Sequence, residues 1–225
     1  MANLRFRRGL ETILSEWDEA RGSWQHARDR GQRLMVALAN SATALGHFSA
    51  ETPEGQNLRA RFGDAVVNAG EAKVYDSLLL AHRDLHEVLK SFEVAGRRMA
   101  AAADAMEVVA VDHSESKQAE IPTPAKDLQS LAPKRAPLLV THDPASLGSL
   151  LREVAEMHQA QAAACADTVG QSEPDMVRAA ASNVLNLRAS VWLMDPFLDN
   201  SKIDELDRVR RTELDPMSQA TFLSN

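Results

Sequence analysis

A row of residues spaced seven apart, Leu10, Trp17, Trp24, Gly31, Leu38 and Leu45, does most to limit the folds open to this sequence. A second row, Ile13, Ala20, Ala27, Leu34 and Ser41, lies three residues on. Rows at alternating spacings of three and four close into one stripe on a helix and match the a and d positions of a coiled-coil seam. A strand cannot hold that stripe on one side, because its side chains alternate faces with a period of two. The spacing predicts a helix over residues 4–45, packed along its length against a partner helix. The small residues Ala20, Ala27 and Gly31 would let that partner approach closely opposite the two tryptophans. Gly22 and Gly31 each cost roughly 1 kcal/mol in a helix interior, so a bend or a close contact is expected at them.

Thr52-Pro53-Glu54 reads as an N-cap followed by proline at the first helical position. It opens a second helix, predicted to run to Val109. Its seam begins Leu58, Phe62, Ala65, Ala69, Ala72 and continues Leu78, His82, Leu85, Leu89, Phe92, Met99, Met106. The two parts fall out of phase between Ala72 and Tyr75, which predicts a stammer with local overwinding. The short connection between the two helices predicts an antiparallel hairpin. At 1.5 Å per residue each arm would be roughly 60–80 Å long, an elongated object.

Between Val111 and His142 the period is lost, and Pro122, Pro124, Pro133 and Pro137 stand among Ser, Lys, Glu and Gln. This segment reads as a flexible linker, with Leu138-Leu139-Val140 as an apolar island docked at its end. Asp143-Pro144 then caps a third helix carrying Leu147, Leu151, Val154, His158 and Cys165. Ser172-Glu173-Pro174-Asp175 is read as opening a fourth, with Val177, Ala180, Val184, Leu187 and Val191 on its buried face. Pro196 ends that helix, since the residue before a proline is pushed out of the α region. Trp192, Phe197 and Leu198 are expected to pack around the resulting elbow. Asn200-Ser201 offers an N-cap to a last short helix, with Ser201 and Asp204 as a capping box and Ile203, Leu206 and Val209 on its apolar face. Asp204, Asp207, Arg208 and Arg211 are expected on its solvated side.

The expected fold class is therefore all-α: an elongated antiparallel helical hairpin of coiled-coil character, a second helical pair and a short C-terminal helix, joined by the Pro-rich linker. The boundaries that follow are 1–110 for the hairpin, 111–142 for the linker, 143–215 for the C-terminal helices with their elbow, and 216–225 for a tail.

Charge and cysteine use narrow the function. Through Ala110 there are 14 basic and 15 acidic residues, against 11 and 17 beyond it. A free-standing nucleic-acid binder needs a basic surface, and this chain has none in its balance of charge. Cys165 is the only cysteine, which excludes an intramolecular disulfide and fits a reducing compartment. No apolar run approaches a membrane span. The basic N-terminus lacks the apolar stretch of a secretory signal. It meets Glu11, Glu16, Asp18 and Glu19 too soon for a mitochondrial presequence.

Motifs that could carry chemistry are weak. His82-Arg83-Asp84-Leu85 repeats the opening of a protein-kinase catalytic loop, but the downstream asparagine, the Gly-rich loop and the Asp-Phe-Gly element are missing. His82 and His86 share a helix face, yet zinc needs a third ligand and usually a fourth. Cys165 has no activating cation near it in sequence, so it reads as a structural thiol. Catalytic residues, cofactors and metals are expected to be none. Arg8-Gly9-Leu10 and Arg83-Asp84-Leu85 have the spacing of cyclin-docking peptides but set their leucines on the seam. Thr123-Pro124-Ala125-Lys126 has the substrate pattern of a cyclin-dependent kinase and lies in the linker, which makes Thr123 the expected phosphorylation site.

The elbow also carries a family resemblance. Trp192-Leu193-x-x-Pro196-Phe197-Leu198 resembles the C-terminal Trp-Leu-x-x-Pro-aromatic-aliphatic signature of the cyclin-dependent kinase 2-interacting protein family (CINP). Upstream, Ala136-Pro137-Leu138-Leu139 and Leu150-Leu151-x-x-x-Ala155-Glu156-Met157 are similar to its Pro-Pro-Leu segment and its Leu-Leu-Glu-Met helix. Glu16-Trp17 and Trp24 resemble its opening helix. The resemblance implies a non-enzymatic adaptor in a hetero-oligomeric complex. Its implied partners are a cyclin-dependent kinase, the Dbf-dependent kinase, checkpoint factors and AAA-ATPase subunits. Its implied settings are DNA replication, checkpoint signalling, replisome proteostasis and ribosome maturation. It implies nuclear localisation, a cytoplasmic pool being compatible, with no direct nucleic-acid or membrane contact. It also makes Trp192, Leu193, Pro196, Phe197 and Leu198 the expected partner-binding residues. Two rival readings use the helices alone: a generic coiled-coil tether or kinetochore-type subunit, and a BAR-like membrane-binding dimer, which would need a basic face.

Overall fold

The computed structural model describes residues 2–118, 143–176 and 182–214, with side chains over 7–112, 143–172 and 184–213. The fold is all-α. Among the described residues six helices follow in order: α1 (Ala2–Phe48), α2 (Pro53–Phe62), α3 (Asp64–Gln118), α4 (Pro144–Met176), α5 (Ser182–Met194) and α6 (Asn200–Leu214). They divide into two compact units. The first takes Met1–Arg21, Gly96–Met157 and Asp199–Asn225; the second takes Gly22–Ala95 and His158–Leu198. Each unit thus draws on both sides of the Pro-rich segment.

α1 and α3 pair as the hairpin the seam requires. In the first unit Arg98 of α3 meets Glu19 of α1. In the second, Trp24 meets Phe92, Arg30 meets Asp84, and Phe48 lies over Gly70. Partner numbers fall as α1 rises, so the pairing there is antiparallel. The expected α1 row is buried at Leu10, Ile13, Trp17, Ala20, Trp24, Ala27, Gly31 and Leu38. Beyond Gly31 the stripe shifts by one residue, so that Met35 and Ala42 are buried where Leu34 and Ser41 are only half-buried. A straight helix drifts in this way against a seven-residue repeat.

The second arm departs from expectation in three places. Gly63, at φ 80, breaks it into α2 and α3, and the Gly63 N–H closes α2 on the Arg59 carbonyl at 2.9 Å. Thr52 caps α2 as expected, its hydroxyl accepting from the Gly55 N–H at 3.1 Å, but that helix is only ten residues long. The register also changes. Ala65, Ala69 and Ala72, expected in the seam, are exposed, as is Phe62. The covered row runs instead through Val67, half-buried Val74, Leu78, Ala81, Leu85, Val88, Phe92 and Ala95, in steady steps of seven, four and three. No stammer is needed, because the phase shift came from joining a row on one side of the helix to a row on the other. Finally, α3 runs on to Gln118, so residues 111–118, expected in the linker, are helical. The rest of that segment, with Thr123 and the apolar island, lies outside the described residues, as does the tail.

α4 starts where Asp143 was expected to cap it: the Asp143 carboxylate accepts from the Ala145 and Ser146 N–H groups, both at 3.0 Å, and from the Ser146 hydroxyl. It does not stop at Ser172. That residue is buried and its hydroxyl donates to the Val169 carbonyl, so it bonds back within α4, which continues to Met176. α5 buries Leu185, Ala189 and Trp192, while Val184 and Leu187, expected inside, are exposed; Val177 and Ala180 lie outside the described residues. α5 is apolar on every side, so its period selects no face. α6 begins under Asp199, whose carboxylate accepts from the Ser201 N–H at 2.9 Å and the Ser201 hydroxyl. The cap is therefore Asp199, not the expected Asn200-Ser201.

The first unit is tied together by charge around a core of Leu, Met, Ala and Trp17. Arg21 of α1 makes a forked pair with Asp207 of α6, which therefore faces inward and not into solvent as expected. Arg210 meets Asp18, Lys202 meets Glu153, and Arg152 reaches Asp104 and Glu107, each at 2.7 Å. Gly148 lets α4 lie against Met106 and Glu107.

Candidate functional site

The elbow belongs to the second unit. Its anchor is Trp192, fully buried at 0% exposure. The Trp192 ring stacks on Phe92 with centroids 5.7 Å apart, and Phe92 stacks on Trp24 at 4.9 Å. His158 meets Trp24 edge-on at 4.6 Å. Offset stacking of this kind adds about 0.5–1.5 kcal/mol per pair beyond area burial. Space for the stack comes from Gly31, where a Cβ would fall 2.0 Å from the Trp192 Cζ3. The close contact expected at Gly31 is thus present; at Gly22, which is exposed, nothing lies within 4 Å. The Trp192 indole N–H donates to the Thr168 hydroxyl at 2.8 Å, and that hydroxyl donates to the Cys165 carbonyl at 2.7 Å.

A helix end leaves its last carbonyls without intrahelical partners. At the end of α5 two glutamines from other helices supply partners for two of them. Gln161 of α4 donates to the Val191 carbonyl at 2.9 Å, and Gln32 of α1 donates to the Trp192 carbonyl at 2.5 Å. The Gln161 carbonyl oxygen also accepts from the Phe197 N–H at 3.3 Å. Between them the chain turns through Asp195, at φ 45, with the Leu198 N–H closing on the Asp195 carbonyl at 3.0 Å. Aspartate is among the few residues that enter this left-handed region readily. Its carboxylate pairs with Arg28 of α1. Burial pushes the Asp195 carboxyl above its usual range, and Arg28 only partly offsets this.

The five expected partner-binding residues separate here. Trp192 is core and cannot meet a partner in the folded chain. Leu193, Pro196 and Phe197 are exposed, Leu198 is half-buried, and Met194 adds a further exposed apolar side chain. Phe197 was expected to pack at the elbow; its backbone is held by Gln161 while its ring is half exposed. Thr123 lies outside the described residues. Cys165 is buried, and burial pushes its thiol up to about 12. His82 and His86 meet edge-on at 4.9 Å, with the His82 Nε2 at 3.4 Å from the Val169 carbonyl. Among the described residues no group of three side chains could hold a metal ion. Leu10 and Leu85, the leucines of the two cyclin-docking spacings, are buried in the seam.

The polar frame of Gln161, Gln32, Arg28, Thr168 and Asp195 was not anticipated from the sequence. One signal was available. The α4 row steps through Leu147, Leu151, Val154 and His158 to Cys165, and the skipped seam positions are Gln161 and Thr168. A polar side chain at a buried seam position needs a partner, and so marks a specific contact.

No protein-family model matches this sequence, and a search of the curated proteins returns no significant match. No described helix is long and apolar enough to cross a membrane.

Proposed function

We propose that this chain is a non-enzymatic adaptor subunit of the CINP type. In this reading it joins cell-cycle kinases to replication and checkpoint factors and serves within a chromatin-associated AAA-ATPase assembly. It acts in the nucleus, and the ATP chemistry belongs to its partners. The observation that carries the reading is the division of labour at the elbow. Trp192 fixes the turn from inside, while Leu193, Met194, Pro196 and Phe197 are held facing out by bonds to the main chain. A structural corner alone has no use for that outward apolar edge. Thr123 is the proposed target of the kinase partner. The experiment is affinity purification of the tagged chain from nuclear extract, beside a Leu193→Asp/Phe197→Asp variant with unchanged circular dichroism. Recovery of replication kinases and AAA-ATPase subunits by the unaltered chain, and their loss from the variant, is expected. Equal recovery by both would leave the elbow a corner, and recovery of neither partner class would end the adaptor reading.

A further inference from the structure

Asp195 combines three features that a plain turn residue lacks. Among the described residues it is the one non-glycine with a positive φ. Its side chain is 12% exposed, so a carboxylate has been taken largely out of water. It is also incompletely partnered: its carboxylate meets the Arg28 guanidinium, yet its Oδ1 and the Arg28 Nε are buried with no hydrogen-bond partner. The charged and titratable groups facing it are Arg28 and Asp29 of α1 and the Cys165 thiol of α4. A buried ion pair with bonds left unmade is a light clasp, because the full desolvation cost is opposed by only part of the bonding. The turn it holds is light as well. Across residues 195–198 two main-chain N–H groups are tied, Leu198 to the Asp195 carbonyl at 3.0 Å and Phe197 to the Gln161 side chain at 3.3 Å. Trp192 is fully buried, and the Val191 and Trp192 carbonyls are held by Gln161 and Gln32, so the end of α5 keeps its place when the turn moves.

We infer that Asp195 is a protonation switch for the elbow: the turn through residues 195–198 closes firmly when its carboxyl is neutral and loosens when it is ionised. A neutral carboxyl still accepts from Arg28 through its carbonyl oxygen, and Arg28, 31% exposed, keeps water for its own charge. An ionised one gains by leaving the pocket for water. In the open turn its pKa returns to the ordinary value of about 4. Burial raises it in the closed turn, so the closed turn binds the proton more tightly. Closure is therefore strongest near pH 4 and weakens as pH rises through the raised value. The outward apolar edge is thereby divided. Leu193 and Met194 sit on the fixed end of α5, whereas Pro196 and Phe197 ride on the switch. The consequence for partners rests on the adaptor reading; the switch itself is a property of the free chain.

Amide exchange on the full chain tests it, read at Phe197 and Leu198 from neutral pH down to about pH 4.5 and corrected for intrinsic rates. Protection at both amides should rise as pH falls through the raised Asp195 value, by up to about tenfold per pH unit. Asp195→Asn keeps a residue suited to the left-handed turn and an acceptor for Arg28, without the charge. It should hold both amides protected across the range, and histidines that titrate in the same window are common to both chains and cancel. Arg28→Gln removes the cation and should move the transition to higher pH, which loss of a purely structural contact would not do. Protection that is flat or falls towards acid in the unaltered chain would overturn the switch, as would an Asp195→Asn chain with the same pH dependence. Recovery of partners from nuclear extract at neutral pH should be greater for Asp195→Asn. Protection that follows pH while recovery ignores Asp195→Asn would leave the switch standing and remove its role in docking.

Discussion

The two units solve the same problem, holding helices of one chain together, with different chemistry. The first relies on an aliphatic core around Trp17 and a set of cross-helix ion pairs, Arg21 with Asp207 and Arg210 with Asp18 among them. The second relies on the Trp24–Phe92–Trp192 stack and on side chains that bond to main chain, Gln161 and Gln32 above all. Ion pairs constrain side-chain ends, are screened by salt and tolerate small shifts. Glutamine-to-carbonyl bonds and ring stacking fix the backbone itself. The second unit is therefore the one in which a surface can be held in a set shape, and it contains the elbow.

The largest effect expected from breaking this contrast comes from Trp192→Ala. Loss of a fully buried indole costs about 3–5 kcal/mol, and here the bond to Thr168 goes with it. Chemical denaturation should show a shift at the upper end of that range, with Trp17→Ala in the first unit lower, although its indole is equally buried. Asp207→Asn tests the charge side. A charge-assisted, partly buried bond is worth about 1.5–3 kcal/mol. Its loss should be smaller in 1 M salt, whereas the cost of Trp192→Ala should not fall with salt.

Glycine substitutions separate packing from propensity within one helix of the second unit. Gly31→Ala drives a methyl into the Trp192 ring and should destabilise by about 1–3 kcal/mol. Gly22→Ala meets open space and should stabilise by up to about 1 kcal/mol. Thermal melts that moved the same way for both would contradict the close approach at Gly31.

Acidification gives the subtlest comparison. In the first unit, Asp143 is held below the usual carboxyl range by the Ser146 hydroxyl and then by backbone N–H groups. Asp199 is held there by the Ser201 hydroxyl and N–H. The stability they contribute is present above the ordinary carboxyl pKa of about 4 and is lost as pH falls through their lowered values. Asp195 in the second unit has the opposite sign. Its raised pKa means the folded chain holds the proton more tightly, so its contribution improves as pH falls from that value towards about 4. Amide exchange, corrected for intrinsic rates, should show the first turns of α4 and α6 losing protection in acid before the end of α5 does. Asp143→Ala, at about 1 kcal/mol, should remove the dependence in α4.

How much of this was legible follows from how sharply each helix distinguishes its faces. α1 could be read because Leu, Trp and small residues keep to one stripe while Arg, Glu and Asp fill the remainder. α3 between Gly63 and Leu80 could not, because alanines and leucines on its outer side imitate a seam as well as Val67, Val74 and Leu78 do. α5 carries Val184, Leu185, Leu187, Val191, Trp192 and Leu193 around its whole circumference, so only the tertiary fit of Trp192 beside Gly31 chooses the buried side. The break at Gly63 depends on a positive φ that periodicity does not register. The elbow was visible as a place through Pro196 and Trp192. Most of its supports were not, since Arg28 and Gln32 come from another helix and are ordinary surface residue types; only Gln161 and Thr168 left a trace, as polar residues at seam positions of α4.

The placement of the three indoles has an optical consequence. Trp17 is in the first unit and Trp24 and Trp192 are in the second, so each part of the molecule has its own native chromophore. The second pair brackets a phenylalanine ring in a fixed, asymmetric setting, the condition for a strong near-ultraviolet circular dichroism band. With excitation confined to the indoles, so that Tyr75 stays dark, a chain with Trp17 replaced by phenylalanine would therefore emit only from the elbow's surroundings, and one keeping Trp17 as its sole tryptophan only from the charge-tied unit. Whether the two signals vanish together on heating then decides, without any label, if the chain unfolds as one cooperative body or in two stages.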